Sequence, residues 1–295
     1  MSDTIAFADT HIHFWEQPHP TLRWDWLEPG TTHPVFGDMS PLIELRTYSA
    51  REFVADIAGC DVTKAVHVQA ALGTPDPVEE SRWLEAMAED TGWPTAIVAH
   101  VSLQDADAAT TIERHLQYSR VRGVRDLGRG DYLVDPAFEH GYAILEQYGL
   151  VYDLDVKWEG MADAASLARR HPGTTMVVEH AGFPTTRTAE YFHAWRSAMN
   201  AFGPLENVFI KISGLGMGDR AFGRDWTIET LRPWVEESIE IFGVERSFFG
   251  TNFPVDRMFS TYHDLLTAYR ALVAEFSEDD RHALFHRNAE RVYRI

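Results

Sequence analysis

Eight short apolar runs punctuate the chain, near residues 5–10 (IAFADT), 64–69 (KAVHVQ), 95–101 (TAIVAHV), 121–127 (VRGVRDL), 150–156 (LVYDLDV), 174–180 (TTMVVEH), 207–213 (NVFIKIS) and 246–251 (RSFFGT). They are rich in β-branched and aromatic residues and mostly lack strict polar alternation, which predicts strands covered on both faces. Amphipathic stretches with helix punctuation lie between most of them. Ser49-Ala50-Arg51-Glu52 is a capping-box pattern ahead of FVADIAG, with Gly59 as the stop. Asp135-Pro136 supplies a cap and then a proline before AFEHGYAILEQYG, which ends at Gly149. Thr227 and Ser277 are placed to start the last two long helical stretches, and 213–226 reads as a glycine-rich loop.

Eight strands alternating with helices imply parallel pairing through right-handed crossovers. At 295 residues a closed (β/α)8 TIM-type barrel accounts for that count as a single domain over 1–295. An open doubly wound sheet is the alternative, but no G-x-G-x-x-G follows the first strand. The proline- and tryptophan-rich segment 16–48 comes just after the first strand. At the C-terminal face of a barrel it would wall or cover a site.

The 26 basic and 45 acidic residues give a net charge of -19, a field that disfavours nucleic acid and anionic membranes as partners. A few local arginines can still reverse the potential within a pocket, so an anionic small molecule remains a candidate substrate. One cysteine, Cys60, suits a reducing cytosol. No signal peptide is evident, and no apolar run approaches the ~20 residues needed to cross a bilayer. The expectation is a cytoplasmic protein acting on a small molecule, with homo-oligomerisation left open.

The chemistry concentrates where barrel strands end. His11 and His13 close the first run, and their i, i+2 spacing in a strand aims both imidazoles one way. Such a pair makes half of a metal site, or a pair of donors for a carbonyl. His180 ends the sixth run before a tight Ala181-Gly182-Phe183-Pro184 turn. Arg125 leaves an apolar strand and needs an anionic partner, either Asp126 or Asp153 or a substrate oxygen. Asp256, in Gly250-Thr251-Asn252-Phe253-Pro254-Val255-Asp256, could ligate a metal or take a proton from water, or simply cap a helix. Asn252 can only exchange hydrogen bonds. One of Asp153 and Asp155 is expected to pair with Lys157 or Arg125 rather than either being catalytic, while His67, Gln69 and His100 are substrate contacts or structural groups. No G-x-S-x-G surrounds Ser213, which argues against a serine hydrolase.

Taken together, Asp9-Thr10-His11-Ile12-His13-Phe14-Trp15, His180-Ala181-Gly182-Phe183-Pro184, Gly250 to Asp256 and Asn288-Ala289-Glu290-Arg291-Val292-Tyr293 resemble the amidohydrolase superfamily. The similarity is to its amidohydrolase-2 branch, which holds lactonases and nonoxidative decarboxylases. It implies a distorted (β/α)8 barrel in which His11, His13 and His180 surround zinc or another divalent ion, or polarise a carbonyl without one. Two departures stand out. Tyr152-Asp153-Leu154-Asp155 occupies the place of the decarboxylases' fifth-strand histidine, and Asn252 stands where the strand-eight acid falls. Either Asp256 replaces that acid or the usual water-activating step is absent.

The resulting expectation is a hydrolase opening a lactone of a small polar acid. His11, His13, His180 and Asp256 would be the metal ligands, with zinc first and at partial occupancy. Asp256 and His180 would be catalytic, and Arg125, Asn252, Gln69 and Lys157 would bind substrate. A metal-dependent decarboxylase and a non-catalytic binder are the alternatives.

Overall fold

The computed structural model describes residues 5–33, 37–217 and 226–295, and eight parallel strands form its centre. In chain order they are β1 (Phe7–Ile12), β2 (Val62–Val68), β3 (Ala96–His100), β4 (Val121–Arg125), β5 (Val151–Leu154), β6 (Met176–Val178), β7 (Val208–Ile212) and β8 (Ser247–Phe249). Each hydrogen-bonds its sequence neighbours. Eight helices follow them in turn: α1 (Ala50–Asp56), α2 (Val78–Thr91), α3 (Ala108–His115), α4 (Pro136–Tyr148), α5 (Met161–Arg170), α6 (Ala189–Met199), α7 (Ile228–Phe242) and α8 (Tyr262–Leu272). The architecture is the TIM-type barrel expected from the pattern.

The barrel is nearly closed, and polar side chains pin the β1–β8 edge. The Thr10 hydroxyl donates to the Phe249 carbonyl at 2.8 Å, and the Asp9 carboxylate accepts from the Thr251 N–H at 2.9 Å and the Tyr262 hydroxyl at 2.8 Å. Just beyond the strand ends, Asn252 N–H donates to His11 O and His13 N–H to Phe253 O, both at 2.8 Å. Such close approach requires glycine at Gly250, where a Cβ would meet Thr10 Oγ1 at 2.7 Å.

Alternation along the strands sorts the interior into two layers. Val151, Val177 and Phe209 pack with Ala8, Val66, Val98 and Phe248 in an apolar lower layer. Two residues further along the same strands or their exits come Asp153, Glu179 and Lys211, all fully buried. The charged layer therefore lies at the C-terminal end, as period-2 geometry requires.

Helix signals held at the starts. The Ser49 N–H donates to the Glu52 carboxylate at 2.9 Å, the Asp135 carboxylate accepts from Ala137 N–H at 2.9 Å, and the Thr227 hydroxyl accepts from Thr230 N–H at 3.3 Å. Ser277 does start the final helical run, Glu278–His282, a π turn over Ala283–Arg287, and Asn288–Tyr293. Between Thr227 and Ser277, however, lies a further long helix that the sequence pattern did not reveal, α8, capped by Thr261. Most of the expected 213–226 loop (residues 218–225) lies outside the described residues. The 16–48 segment folds back on the barrel. Its strand Trp15–Glu16 pairs with Thr47–Tyr48, and Trp26 Nε1 donates to Ala70 O at 2.7 Å.

Candidate active site

A cavity of about 300 Å³ opens at the C-terminal end of the barrel. His13, Gln69, Arg125, Lys157, His180 and Asn252 all line it, as the sequence suggested, with Trp26, Leu72, Phe183 and Met217 as apolar wall. Among its described lining residues Asp155 is the only carboxylate.

The three histidines converge. His11 Nε2 faces His13 Nε2 at 3.1 Å, and the His11 and His180 ring centroids are 4.4 Å apart. His13 Nδ1 donates to the Val68 carbonyl at 2.8 Å, which leaves Nε2 as a lone pair. His11 Nδ1 faces Glu179 Oε1 at 3.3 Å. A proton there satisfies the carboxylate and leaves a second lone pair on His11 Nε2, pointing at the first. Burial, the largest effect on each ring, favours the neutral form: it lowers His13 to about 4 and His180 to about 3, and takes His11 well below its ordinary value. Two neutral nitrogens facing each other at this distance call for a cation or a shared proton between them. Among the described residues, His11, Glu179 and His180 form the one cluster of three or more ligand-bearing side chains close enough to share a metal ion, and His13 stands beside it. By donor type the set fits a divalent ion.

His180 reaches the cluster through an unusual backbone. His180, Ala181, Gly182 and Phe183 have φ of 52°, 49°, 69° and 55°, four left-handed residues in succession. Three of them carry side chains that disfavour this region, which marks a functional constraint. The turn replaces the end of the sixth predicted strand. The Ser213 hydroxyl lies 2.9 Å from His180 Nδ1, leaving Nε2 for the cavity.

Beneath the histidines lies an ion network that the sequence reading left out. Glu179 accepts from Arg125 at 2.8 Å and lies 3.5 Å from Lys211 Nζ, while Lys211 pairs with Asp153 at 2.5 Å. The Tyr293 hydroxyl donates to Asp153 at 2.9 Å. Burial alone would push the Glu179 carboxyl up, but Arg125, His11 and Lys211 together hold it well below the usual range. The expected partners are thereby corrected: Arg125 pairs with Glu179 rather than Asp126 or Asp153, and Asp153 with Lys211 rather than Lys157 or Arg125. Asp126 instead accepts from Leu103 N–H at 2.7 Å and Gly128 N–H at 2.8 Å. The available signal was an ionisable residue at the exit of each of three successive apolar strands.

The structure does not bring Asp256 to the histidines. It sits behind Asn252, accepting from Asn252 Nδ2 at 2.9 Å and Gly216 N–H at 3.3 Å, and burial lifts its carboxyl to about 7. Asn252 is the group that faces the cavity. Arg125 has two donors committed, to Glu179 and to the Gln69 carbonyl at 3.0 Å. Gln69 is 1% exposed, and both polar atoms of its side chain lack a protein partner. His67 is buried behind His13, and His100 packs toward the Arg125 carbonyl at 3.4 Å. Asp155 belongs to the cavity itself. Burial raises its carboxyl to about 6 even though Arg125 and Lys157 draw it down.

Histidines, a buried glutamate and cations gather at the C-terminal rim of a parallel barrel, the face on which barrel enzymes carry their chemistry. The chain belongs to the amidohydrolase family, whose profile matches residues 8–295. The uncharacterized protein y4mH of Sinorhizobium fredii is 35% identical over 307 residues, with 100% of both chains covered. L-fucono-1,5-lactonase of Burkholderia ambifaria is 28% identical over 295 residues, with 97% of this chain and 95% of the relative covered. A crystal structure of an amidohydrolase from Burkholderia multivorans with bound HEPES superposes with a TM-score of 0.84 at 23% identity, covering 98% of this chain and 99% of that one. A zinc-bound form gives 0.83 at the same identity and coverage.

Proposed function

We propose that the protein hydrolyses the lactone of a polyhydroxy acid, with Asp155 rather than Asp256 as the proton acceptor. The observation that carries this reading is the placement of His13, His180 and the single described pocket carboxylate, Asp155, in one cavity. The lactonase relative supports the substrate class. The unpartnered Gln69 amide, which offers both donor and acceptor, suits hydroxyl groups, and Trp26 and Phe183 suit the face of a small ring.

In this mechanism His180 Nε2 hydrogen-bonds the lactone carbonyl oxygen, where negative charge develops as water adds. Asp155 takes the proton of the attacking water and returns it to the ring oxygen as the C–O bond breaks, leaving an open hydroxy acid. Lys157 and Gln69 orient the substrate, and Asn252, held by Asp256, lines the same cavity. A divalent ion held by His11, His13 and His180 would take the place of the His180 N–H, supplying Lewis-acid polarisation of the carbonyl and a more acidic water. A structural neighbour binds zinc, which supports considering such an ion here.

The test is a titrimetric assay over a panel of sugar-acid 1,4- and 1,5-lactones and aromatic acids, with evolved CO₂ monitored in parallel. The expected result is one equivalent of acid per turnover for a subset of the lactones and no CO₂. Acid release no faster than spontaneous hydrolysis throughout the panel, or CO₂ from the aromatic acids, overturns the reading.

A further inference from the structure

The final helical run holds a second group of facing imidazoles, remote from the cavity. His282 Nδ1 and His286 Nε2 lie 3.0 Å apart. The outer nitrogen of His286 has a carboxylate partner, Nδ1 lying 3.4 Å from Glu290 Oε2, whereas His282 Nε2 is 3.9 Å from Glu278 Oε1, beyond hydrogen-bond reach. The four residues recur every fourth position along one helical face, and both imidazoles are partly open to solvent, 35% and 18% exposed. The run packs against the start of β1 through Phe285 on Phe7, so this face lies away from the end that carries His11 and His13.

We propose that His282 and His286 form a divalent transition-metal site, taking zinc, nickel or copper. With metal–nitrogen bonds of about 2.0–2.1 Å, two imidazoles bound at neighbouring corners of a tetrahedron or octahedron stand ~2.9–3.4 Å apart, and the observed separation falls inside that window. Glu290 completes the pattern on the His286 side. A carboxylate on the outer ring nitrogen fixes the tautomer, leaves the inner nitrogen unprotonated and makes it a stronger ligand. Water fills the remaining positions on the exposed side. The ligand chemistry favours borderline metals over magnesium or calcium, which prefer oxygen donors.

The site has a structural consequence. His282 stands immediately before the π turn Ala283–Arg287 and His286 lies within it, while Tyr293, six residues beyond Arg287, donates to Asp153 inside the barrel. A metal spanning the pair ties the π turn to the helical turn before it, and so steadies the segment that delivers Tyr293.

The test is calorimetric titration of the full-length protein, freed of metal, with zinc and with nickel, alongside thermal unfolding. Wild type is compared with the His282→Gln/His286→Gln double variant and with Glu290→Gln. The double variant is expected to lose one binding equivalent and the metal-induced rise in Tm, while keeping any binding at His11, His13 and His180 and unaltered lactone turnover. Glu290→Gln is expected to weaken this equivalent by about 10–100-fold, the usual scale for an outer partner of a ligating histidine. Equal stoichiometry and equal Tm shifts in wild type and double variant would overturn the site, since the pair then shares only a hydrogen bond. Because the readout is stoichiometry and Tm, that result leaves the lactonase reading standing, and an inactive enzyme leaves this site standing.

Discussion

At the scale of single residues, the contest is between two carboxylates. Both are raised by burial, Asp155 to about 6 and Asp256 to about 7, but Asp155 lines the cavity and Asp256 is spent on Asn252. A general base must be ionised, so kcat/KM should be lost as pH falls through about 6 and level off above it. Asp155→Asn should remove that limb and lower kcat by about 10²–10⁴-fold. Asp256→Asn should keep the limb. A reversed pattern, with Asp256→Asn inactive and Asp155→Asn at wild-type turnover, returns the base to Asp256. Stability offers a second check on Asp256. Its pKa in the fold exceeds its unfolded value, so its contribution is present at low pH and is lost as pH rises through about 7. The Tm of wild type should therefore fall more between pH 5 and 8 than that of Asp256→Asn. The histidines were legible in the sequence because i, i+2 spacing at a strand end fixes a shared direction. Asp256 misled because sequence proximity to Asn252 says nothing of which of the two faces the cavity once the chain bends through Pro254.

At the scale of elements, the strands and the helix starts at Ser49, Asp135, Thr227 and Ser277 were legible because β-branched runs and caps act locally, while the start of α8 at Thr261 was missed. The strand ends were not legible. The sixth predicted strand ran to His180, whereas β6 stops at Val178 and the chain enters its left-handed turn. Only Gly182 in that turn signals positive φ; His180, Ala181 and Phe183 adopt it because tertiary contacts hold them there. Trp195 Nε1 donates to Ala181 O at 2.8 Å, and the Tyr191 hydroxyl to Phe183 O at 3.0 Å. Gly182 is the tightest point, since a Cβ there would lie 2.2 Å from Met161 Cε at φ 69°. Gly182→Ala should therefore cost on the order of 1–3 kcal/mol in stability, combining backbone strain with overpacking. Displacement of His180 should also lower kcat more than the change in Tm alone predicts. Wild-type Tm and kcat in Gly182→Ala would show that the turn is neither strained nor coupled to the site.

At the scale of the whole molecule, the barrel carries a buried ionic layer directly beneath its histidines, and the net charge of -19 conceals it. No helix among the described residues is long and apolar enough to cross a membrane. Barrel closure was predictable from the count of strands, whereas the pairing of Asp153, Glu179 and Lys211 depends on which side chains turn into the barrel interior, which runs apolar on both faces do not encode. Lys211 is the keystone of that layer, serving Asp153 and Glu179 at once with no exposure to solvent. Lys211→Met keeps most of the side-chain volume but leaves two buried carboxylates sharing fewer cations. Removing one partner of a buried pair costs roughly 3–5 kcal/mol, and for a chain of this size each kcal/mol moves Tm by about 2–4 °C or less. A fall in Tm of several degrees is expected. Adding Asp153→Asn to Lys211→Met removes one of the uncompensated charges and should recover part of the loss, with the Tyr293 hydroxyl still able to donate to the amide oxygen. A double variant no more stable than Lys211→Met alone would mean that the lysine contributes through packing, and that charge balance in the barrel does not set the stability of the site it supports.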